Sequence, residues 1–185
     1  MSEIADRPGV VAGGTLIAIA RAAIAAGERP HASSWPHDWL RETRASFVTL
    51  KLEDELRGCV GTVDAHRSLG DDVANNAYSA AYRDSRFPPV GEDERARLQV
   101  EVSVLSARAA LEAPSEEAAV ALLRPGVDGL YLEFGEMRAT FLPQVWESLA
   151  DPLDFLRELR RKAGLPARFW HERMRLSRYT VEKYK

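Results

Sequence analysis

Hydrophobic residues recur along the chain with two periods, one typical of helices and the other typical of strands. Over residues 15–26 apolar side chains return on one face at helical spacing, and Gly27 lies just beyond them. Between residues 45 and 63 apolar and polar positions alternate instead. The pattern predicts a first helix and, after a loop over residues 31–44, a β-hairpin that turns across residues 53–55.

A second helix and the clearest strand of the chain follow the hairpin. Ser68 is a favourable N-cap, because its hydroxyl oxygen can accept a hydrogen bond from the first helical turn. We expect this helix to continue to the Arg-Phe-Pro-Pro run at residues 86–89, where two prolines stop it. Over residues 98–104 every second residue is apolar, which predicts a strand with Glu101 on its polar face.

The second half of the chain again alternates helices with paired strands. Residues 115–123 and 151–163 have helical patterns, and each segment begins at a good N-cap residue. Between them, residues 129–142 predict a hairpin, because Gly135 suits the first central position of a two-residue turn. Residues 174–184 predict one final strand.

Hairpins dominate the connections between the predicted strands, with helices interleaved among them. This arrangement favours the α+β class with largely antiparallel sheets over a doubly wound parallel sheet. The order of hairpin and then helix occurs twice, over residues 45–83 and 129–163, which is compatible with an internal duplication. We therefore expect a single unit of two lobes, over about residues 1–110 and 111–185, with helices packed on the sheets.

Composition limits the chemistry that the chain can support. Its 185 residues contain 45% hydrophobic and 29% charged side chains, enough to build a folded core without metal or disulfide. Cys59 is the single cysteine, which excludes an intrachain disulfide, a tetrathiolate zinc site and a self-contained iron–sulfur cluster. We therefore predict no metal, no cofactor and a reducing, cytoplasmic location.

Neither a membrane span nor a secretory signal is expected. Residues 15–26 are the most apolar stretch, but Arg21 interrupts them, and they fall short of the roughly 20 residues that a span requires. Residues 1–7 carry Glu3 and Asp6 rather than a basic cluster. We expect no association with a membrane.

The net charge of −3 at pH 7 hides a basic segment. Residues 157–185 contain ten Lys or Arg and three Asp or Glu. Basic helix faces are usually solvated surface, so we expect no nucleic-acid partner. Polyanion binding is kept as a minor alternative, carried by Arg157, Arg160, Arg161, Arg173 and Arg175.

The most informative part of the chain is Leu-Arg-Gly-Cys-Val-Gly at residues 56–61, here named the signature segment. Its two glycines predict a bulge, or a place where another backbone or a ligand comes close. In a regular strand Arg57 and Cys59 are same-face neighbours, roughly 6.5 Å apart. The guanidinium then lowers the pKa of the thiol and makes Cys59 a nucleophile or a redox-sensitive group. From the residues alone we favour the alternative, in which Cys59 is a small buried side chain without reactivity and Arg57 pairs with an acidic group.

A cysteine nucleophile also needs a base, and the candidates are His31, His37, His66 and His171. None of their spacings fits a metal site. Glu101 is a candidate site residue, although strand alternation favours a glutamate that simply faces solvent. The sequence contains neither a phosphate-binding glycine loop nor a Gly-X-Ser-X-Gly motif, so nucleotide use and the simplest hydrolase chemistry lack support.

Five short motifs occur in order between residues 47 and 184. They are Leu56-Arg57-Gly58-Cys59-Val60-Gly61, Ser85-Arg86-Phe87-Pro88-Pro89, Glu101-Val102-Ser103-Val104-Leu105, Gly126-Val127-Asp128-Gly129-Leu130 and Ala139-Thr140-Phe141-Leu142-Pro143-Gln144-Val145-Trp146. Together these motifs resemble the AMMECR domain family, whose microbial members are called AmmeMemoRadiSam system protein A.

The resemblance implies an α+β fold of two lobes, with the signature segment near a cleft. It implies membership of the AmmeMemoRadiSam system, in which a Memo-like protein and a radical S-adenosylmethionine (SAM) protein are partners. From the family motifs, Glu101, Thr140 and Gln144 are carried over as polar ligand-binding residues of the cleft. The radical chemistry belongs to the partner, because this chain lacks the three cysteines that hold a cluster.

Two hypotheses of function are open at this point. In the one we favour, the chain is a binding or adaptor component that recognises a small molecule or its system partners. In the other, it is a small enzyme or redox component in which Cys59 reacts and Arg57 tunes it, with Gly58 and Gly61 admitting the ligand. The binding hypothesis is favoured because the enzyme hypothesis lacks an identified base and metal.

Overall fold

The computed structural model describes residues 9–28 and 35–185 and has the α+β fold that the sequence predicts. The chain divides into two compact units, Met1–Leu105 with Glu182–Lys185, and Ser106–Val181. Each unit contains one four-stranded antiparallel sheet. Part of the predicted loop over residues 31–44, including His31, lies outside the described residues.

The described residues form five α-helices and eight strands, with two 3-10 helices at Asp38–Leu40 and Pro143–Glu147. In chain order the elements are α1 (Gly9–Ala26), β1 (Ser46–Leu52), β2 (Glu55–Gly61), α2 (Leu69–Tyr82), α3 (Glu92–Arg95), β3 (Gln99–Leu105), β4 (Ala109–Ala110), α4 (Glu116–Leu122), β5 (Gly129–Phe134), β6 (Met137–Phe141), α5 (Pro152–Lys162), β7 (Arg175–Tyr179) and β8 (Val181–Tyr184).

The sheet of the first unit has the strand order β2-β1-β3-β8. Apolar and polar residues alternate along its strands and therefore lie on different faces, because successive side chains of a strand point to opposite sides. Val48, Leu50 and Val102 are fully buried in one core with α1 and α2. The other face carries Thr49 and the residues that pair with it on both sides.

The hairpin between β1 and β2 turns on two residues rather than the three expected. Leu52 pairs with Glu55, so only Glu53 and Asp54 lie in the turn. Both have positive φ, at 53° and 67°. Two consecutive residues in this region form the turn whose twist matches a two-residue hairpin.

Small side chains bring α2 close to the sheet. Ala77, Ala80 and Ala81 are all buried on its inner face. The predicted cap is confirmed, because Ser68 Oγ accepts a hydrogen bond from an amide of the first turn. The helix ends at Tyr82, earlier than expected, and the residues after it turn back along β2.

The second unit has the strand order β4-β7-β5-β6. Its hairpin closes as predicted, with Phe134 paired to Met137 and Gly135 at a φ of 60°. The core lies between the sheet and α5, where the rings of Trp146 and Phe155 stack with their centroids 3.8 Å apart.

The prediction of one strand over residues 174–184 is wrong. The segment forms β7 and β8, which belong to different sheets, with Thr180 between them. The amide of Thr180 donates to Ser106 Oγ, and its carbonyl accepts from the Ser106 amide, at 2.9 Å each. These long-range bonds hold the chain where it leaves the second sheet, and residue alternation carries no signal of them.

Candidate functional site

Strand β2 is irregular within the signature segment. Leu50 pairs with Gly58, whereas Lys51 pairs with Leu56, so Arg57 is an extra residue without a partner in β1. Such a bulge interrupts the alternation of faces along a strand. Arg57 and Cys59 therefore need not share a face.

The two glycines of the signature segment lie against other parts of the chain, as predicted. A β-carbon on Gly58 would lie 2.1 Å from the carbonyl oxygen of Ala80 in α2. A β-carbon on Gly61 would lie 2.1 Å from the ring of Phe47. Their missing side chains make room for α2 and for an aromatic ring, and a role in admitting a ligand stays a prediction.

Arg57 is bound by Glu94 and by the segment after α2. Its Nε and Nη2 donate to the two carboxylate oxygens of Glu94 at 2.8 and 2.9 Å, and its Nη1 donates to the Pro88 carbonyl at 2.9 Å. The bonds from Arg57, with one from the Gly91 amide, lower the pKa of Glu94 to about 2, and the bonds to Glu94 raise the pKa of Arg57. Arg57 thus ties the bulge of β2 to α3.

The bulge is one of the two features that the glycines predict, and it removes the condition of a regular strand under which Arg57 would lie beside the Cys59 thiol. The bulge frees Arg57 to bind Glu94, and the guanidinium that contacts Cys59 belongs to Arg86. Arg86 stands in one of the family motifs, but nothing in the local pattern indicated this contact.

Asp84 and Arg86 bind the main chain of Cys59. Asp84 Oδ2 accepts from the Cys59 amide at 2.9 Å, and Arg86 Nη2 donates to the Cys59 carbonyl at 3.1 Å. The two side chains also pair at 2.6 Å, which holds the pKa of Asp84 well below its ordinary range and raises the pKa of Arg86. Because β2 is an edge strand, its outward groups would otherwise be open to another strand. The pair covers this edge at Cys59.

Cys59, Thr49 and Glu101 form a row across the outer face of the first sheet, here named the outer row. Thr49 pairs with Cys59 on one neighbouring strand and with Glu101 on the other. Cys59 and Glu101 are therefore about 10 Å apart. The half-buried Cys59 sulfur lies 3.4 Å from Thr49 Oγ1. Glu101 pairs with Lys185 at 3.2 Å, and only 18% of its side chain is exposed.

A cavity of about 420 Å³, here named the first cavity, opens beside the outer row. It is lined by Ile17, Arg21, Thr49, Lys51, Asp54, Gln99, Val100, Glu101 and Lys185. Small-molecule sites commonly enclose about 300–1,000 Å³ and combine apolar walls with a few polar groups. Of the predicted site residues, Glu101 lines this cavity, and Thr49 connects it to Cys59.

Thr140 and Gln144 belong to the second unit. Thr140 Oγ1 donates to the Leu130 carbonyl at 2.9 Å and lies 2.7 Å from the Tyr179 hydroxyl. Burial raises the pKa of Tyr179 to about 12, so this hydroxyl is neutral at pH 7. The Thr140 hydroxyl is engaged within the sheet, whereas Gln144 is exposed. Their assignment as ligand-binding residues stays a prediction.

The described histidines have partners of their own. The Nδ1 of His66 lies 2.8 Å from the Asp64 carbonyl, and its Nε2 lies 2.6 Å from a guanidinium nitrogen of Arg67. His37 stacks on a tryptophan ring, and His171 packs against two phenylalanine rings. Within the described part of the first unit, neither His37 nor His66 is hydrogen-bonded to the thiol.

A buried polar cluster that the sequence pattern did not indicate joins β1 to α2. The fully buried Asp72 accepts from the amide and the hydroxyl of Ser46 at 2.8 and 2.7 Å. It also accepts from Asn76 and Thr62, each at 2.9 Å. Because its carboxylate oxygens are saturated with donors, the cluster fixes two elements together and presents nothing to a ligand.

The prediction that Arg160 contacts a polyanion is wrong. It is fully buried, pairs with Glu116 and donates to the Ala167 carbonyl at 2.6 Å. Arg157 and Arg161 each pair with an acidic residue of α5. The basic segment is therefore partly neutralised by its own neighbours.

Two further properties concern residues 9–28 and 35–185. In these ranges no three or more His, Cys, Asp and Glu side chains are arranged to hold a metal ion. No helix there combines the length and hydrophobicity that crossing a membrane requires.

Known proteins are similar to this chain in sequence. A family model described as AMMECR1 matches residues 17–184. A protein of Methanothermobacter thermautotrophicus is 43% identical over 130 residues, which cover 70% of this chain and 68% of that protein. A protein of Methanosarcina barkeri is 40% identical over 130 residues, covering 70% and 64%. A protein of Thermotoga maritima is 34% identical over 154 residues, covering 82% and 83%.

The fold is also similar to a solved structure. An uncharacterized protein from Pyrococcus horikoshii matches with a TM-score of 0.79 and 33% sequence identity, over 92% of this chain and 89% of that chain. The five motifs quoted above all lie within the residues that the family model matches. The chain therefore belongs to the AMMECR1 family.

Proposed function

We propose that this protein is a small-molecule-binding module whose ligand site is the first cavity. The observation that carries the proposal is the cavity itself, about 420 Å³ in volume, with walls from α1, β1 and β3. Its lining combines apolar side chains with charged and amide groups. This combination is what small-molecule sites generally have.

The hydrogen bonds and ion pairs around the outer row support binding of a ligand without rearrangement of β2. Cys59 is held through its main chain by Asp84 and Arg86, and the preceding bulge is held by the Arg57–Glu94 ion pair. A site that is ordered before the ligand arrives loses less conformational entropy on binding. The signature segment is thus a structural support for the first cavity.

Ligand-observed NMR with a fragment library tests this proposal. Gln99→Trp places a large ring in the first cavity from an exposed position, so the fold should tolerate it. Glu55→Trp is the matched control, because Glu55 is an exposed strand residue of the same sheet outside the cavity lining. Fragments should bind the wild type and Glu55→Trp but not Gln99→Trp. Equal binding to all three proteins, or no binding fragment at all, would contradict the proposal.

The proposal extends to partners, on the basis of the family resemblance. The module works in the cytoplasm with a Memo-like protein and a radical SAM protein, as an adaptor that carries or senses a ligand. Co-expression followed by size-exclusion chromatography should recover a complex with at least one of them. Arg57→Ala should weaken that complex by releasing the segment at Pro88, whereas Cys59→Ser should leave it intact. Elution of every component alone would refute the adaptor role.

A cysteine-dependent reaction is the second candidate function. It is favoured by the half-buried Cys59 sulfur, which lies 3.4 Å from the hydroxyl oxygen of Thr49, a residue that lines the first cavity. Because Cys59 is the only cysteine, a thiol reagent reports on it alone, and Cys59→Ser is the blank. A reactive thiol labels in the folded protein near neutral pH. Labelling that requires unfolding would remove this candidate.

A further inference from the structure

Among the described residues, more cations than carboxylates line the first cavity. Arg21, Lys51 and Lys185 line it together with Asp54 and Glu101. Lys185 and Glu101 form an ion pair at 3.2 Å, and so neutralise each other. Among the described residues, Arg21 and Lys51 have no carboxylate within ion-pair distance. The cavity therefore holds two uncompensated cations against one carboxylate.

Arg21 is hydrogen-bonded to the main chain. It lies on α1, and its Nη2 donates to the Leu98 carbonyl, immediately before β3, at 3.0 Å. A guanidinium has five N–H donors in a planar fork, so this single bond leaves donors available to another acceptor. The fork matches the geometry of carboxylate and phosphate oxygens.

A second cavity, of about 240 Å³, shares Arg21 and Val100 with the first. Among the described residues, Arg95 is its only other charged lining residue, and no carboxylate lines it. The Nε of Arg95 is buried without a hydrogen-bond partner among the described residues. The remaining walls are apolar and include Ile24 and Leu98. Arg95 is paired with Glu92 at 4.0 Å, so Arg21 is the cation without a carboxylate partner, among the described residues, that both cavities share.

We infer that the ligand is a small organic oxyanion, bound through its charged group by Arg21 and Lys51. Its apolar part packs against Ile17 and Val100, which line the same cavity. This inference depends on the proposed function, because it names the ligand class for that site. Hydrogen bonds from charged donors to an anion are stronger than neutral ones, while a cationic ligand would meet unpaired like charges.

Isothermal titration calorimetry on the full chain tests the inference with four six-carbon probes. Hexanoate and hexyl phosphate are the two oxyanions, hexanamide is the neutral analogue and hexylammonium is the cation. One of the oxyanions should bind at least about tenfold more tightly than hexanamide, and hexylammonium should bind least. Raising the salt from about 50 to about 500 mM should weaken oxyanion binding, because part of the attraction is screened.

Variants assign the binding to the two cations. Arg21→Gln should weaken oxyanion binding at least about tenfold, and Lys51→Gln about threefold. Lys51→Gln keeps the inference testable if loss of the Leu98 bond unfolds Arg21→Gln. Arg83→Gln is the matched control, because Arg83 is an exposed arginine of the same unit that lines neither cavity, and it should change the affinity less than about twofold.

The outcomes separate the inference from the proposed function. Equal binding of hexanamide and the oxyanions, or unchanged affinity in both cavity variants, would overturn the inference. If neutral fragments still bind and Gln99→Trp still excludes them, the proposed function stands without it. If no probe and no fragment binds, the inference and the proposed function are both wrong.

Discussion

Replacing Gly58 by alanine should destabilise the first unit strongly, because the structure has no space for a β-carbon at this position. That atom would lie 2.1 Å from the carbonyl oxygen of Ala80 and 3.0 Å from its carbonyl carbon. Both atoms belong to the backbone of α2, which a change of rotamer cannot move. The clash is relieved only if α2 moves away from β2.

The size of the effect follows from that movement. An ordinary non-bonded contact is about 3.5 Å long, so the two elements must separate by more than about 1 Å. The shift opens the interface that the buried Ala77, Ala80 and Ala81 fill. Forcing extra atoms into a packed core costs about 1–3 kcal/mol and occasionally more. We expect about 3 kcal/mol, because backbone rather than a flexible side chain must yield.

Urea unfolding followed by circular dichroism measures the effect. For a slope of about 2 kcal/mol per molar urea, a loss of about 3 kcal/mol lowers the midpoint by about 1.5 M. Gly14→Ala is the control, because a β-carbon on Gly14 in α1 meets nothing within 4 Å. Alanine is favoured over glycine within a helix by about 1 kcal/mol, so this midpoint should rise.

The same chemical change is thus expected to have opposite signs at two positions. A Gly58→Ala midpoint within about 0.3 M of the wild type would refute the reasoning, since it would mean that α2 does not press against β2 at this point. A fall in the Gly14→Ala midpoint would show that the two substitutions are not comparable.

Three further substitutions test single interactions. Glu94→Gln removes the partner of Arg57 and should lower the free energy of unfolding by about 1 kcal/mol at pH 7. Because the pKa of Glu94 is lowered to about 2, the ion pair contributes fully above the ordinary value of 4.5, and its contribution disappears as the pH falls toward 2. A difference in urea midpoint between wild type and variant that is the same at low and neutral pH would contradict the pairing. Thr140→Val should destabilise the second unit by about 1 kcal/mol, since Tyr179 loses a partner, and an unchanged thermal midpoint would count against that bond. Asp84→Asn should speed hydrogen exchange of the β2 amide that it accepts from, and NMR exchange rates equal to those of the wild type would show that Asp84 does not protect this edge.

Local features were predictable because the interactions that create them lie within one or two turns of the chain. The cap at Ser68 bonds to an amide three residues later, and Gly135 adopts the positive φ that its hairpin turn requires. The alternation around Glu101 correctly placed it on the polar face of β3. Each of these signals is complete in a short stretch of sequence.

The partners of the signature segment were not predictable in this way. The glycines indicated an irregular strand, but not that Arg57 is the extra residue of the bulge. Its partner Glu94 is 37 positions away, on a helix of one turn whose pattern is too short to be recognised. Asp84 and Arg86 bind Cys59 through its main chain, which no side-chain pattern records.

By itself, the sequence determined the α+β class, the hairpins, the helix caps and the family, because all of these depend on the order of residues along short segments. Only the tertiary structure decided that Glu101 and Cys59 flank Thr49, that Arg21 reaches the start of β3, and that a cavity lies beside them. The physical reason is register: a one-residue bulge and the packing of a distant helix set which side chains meet, and both depend on contacts between residues far apart in the chain.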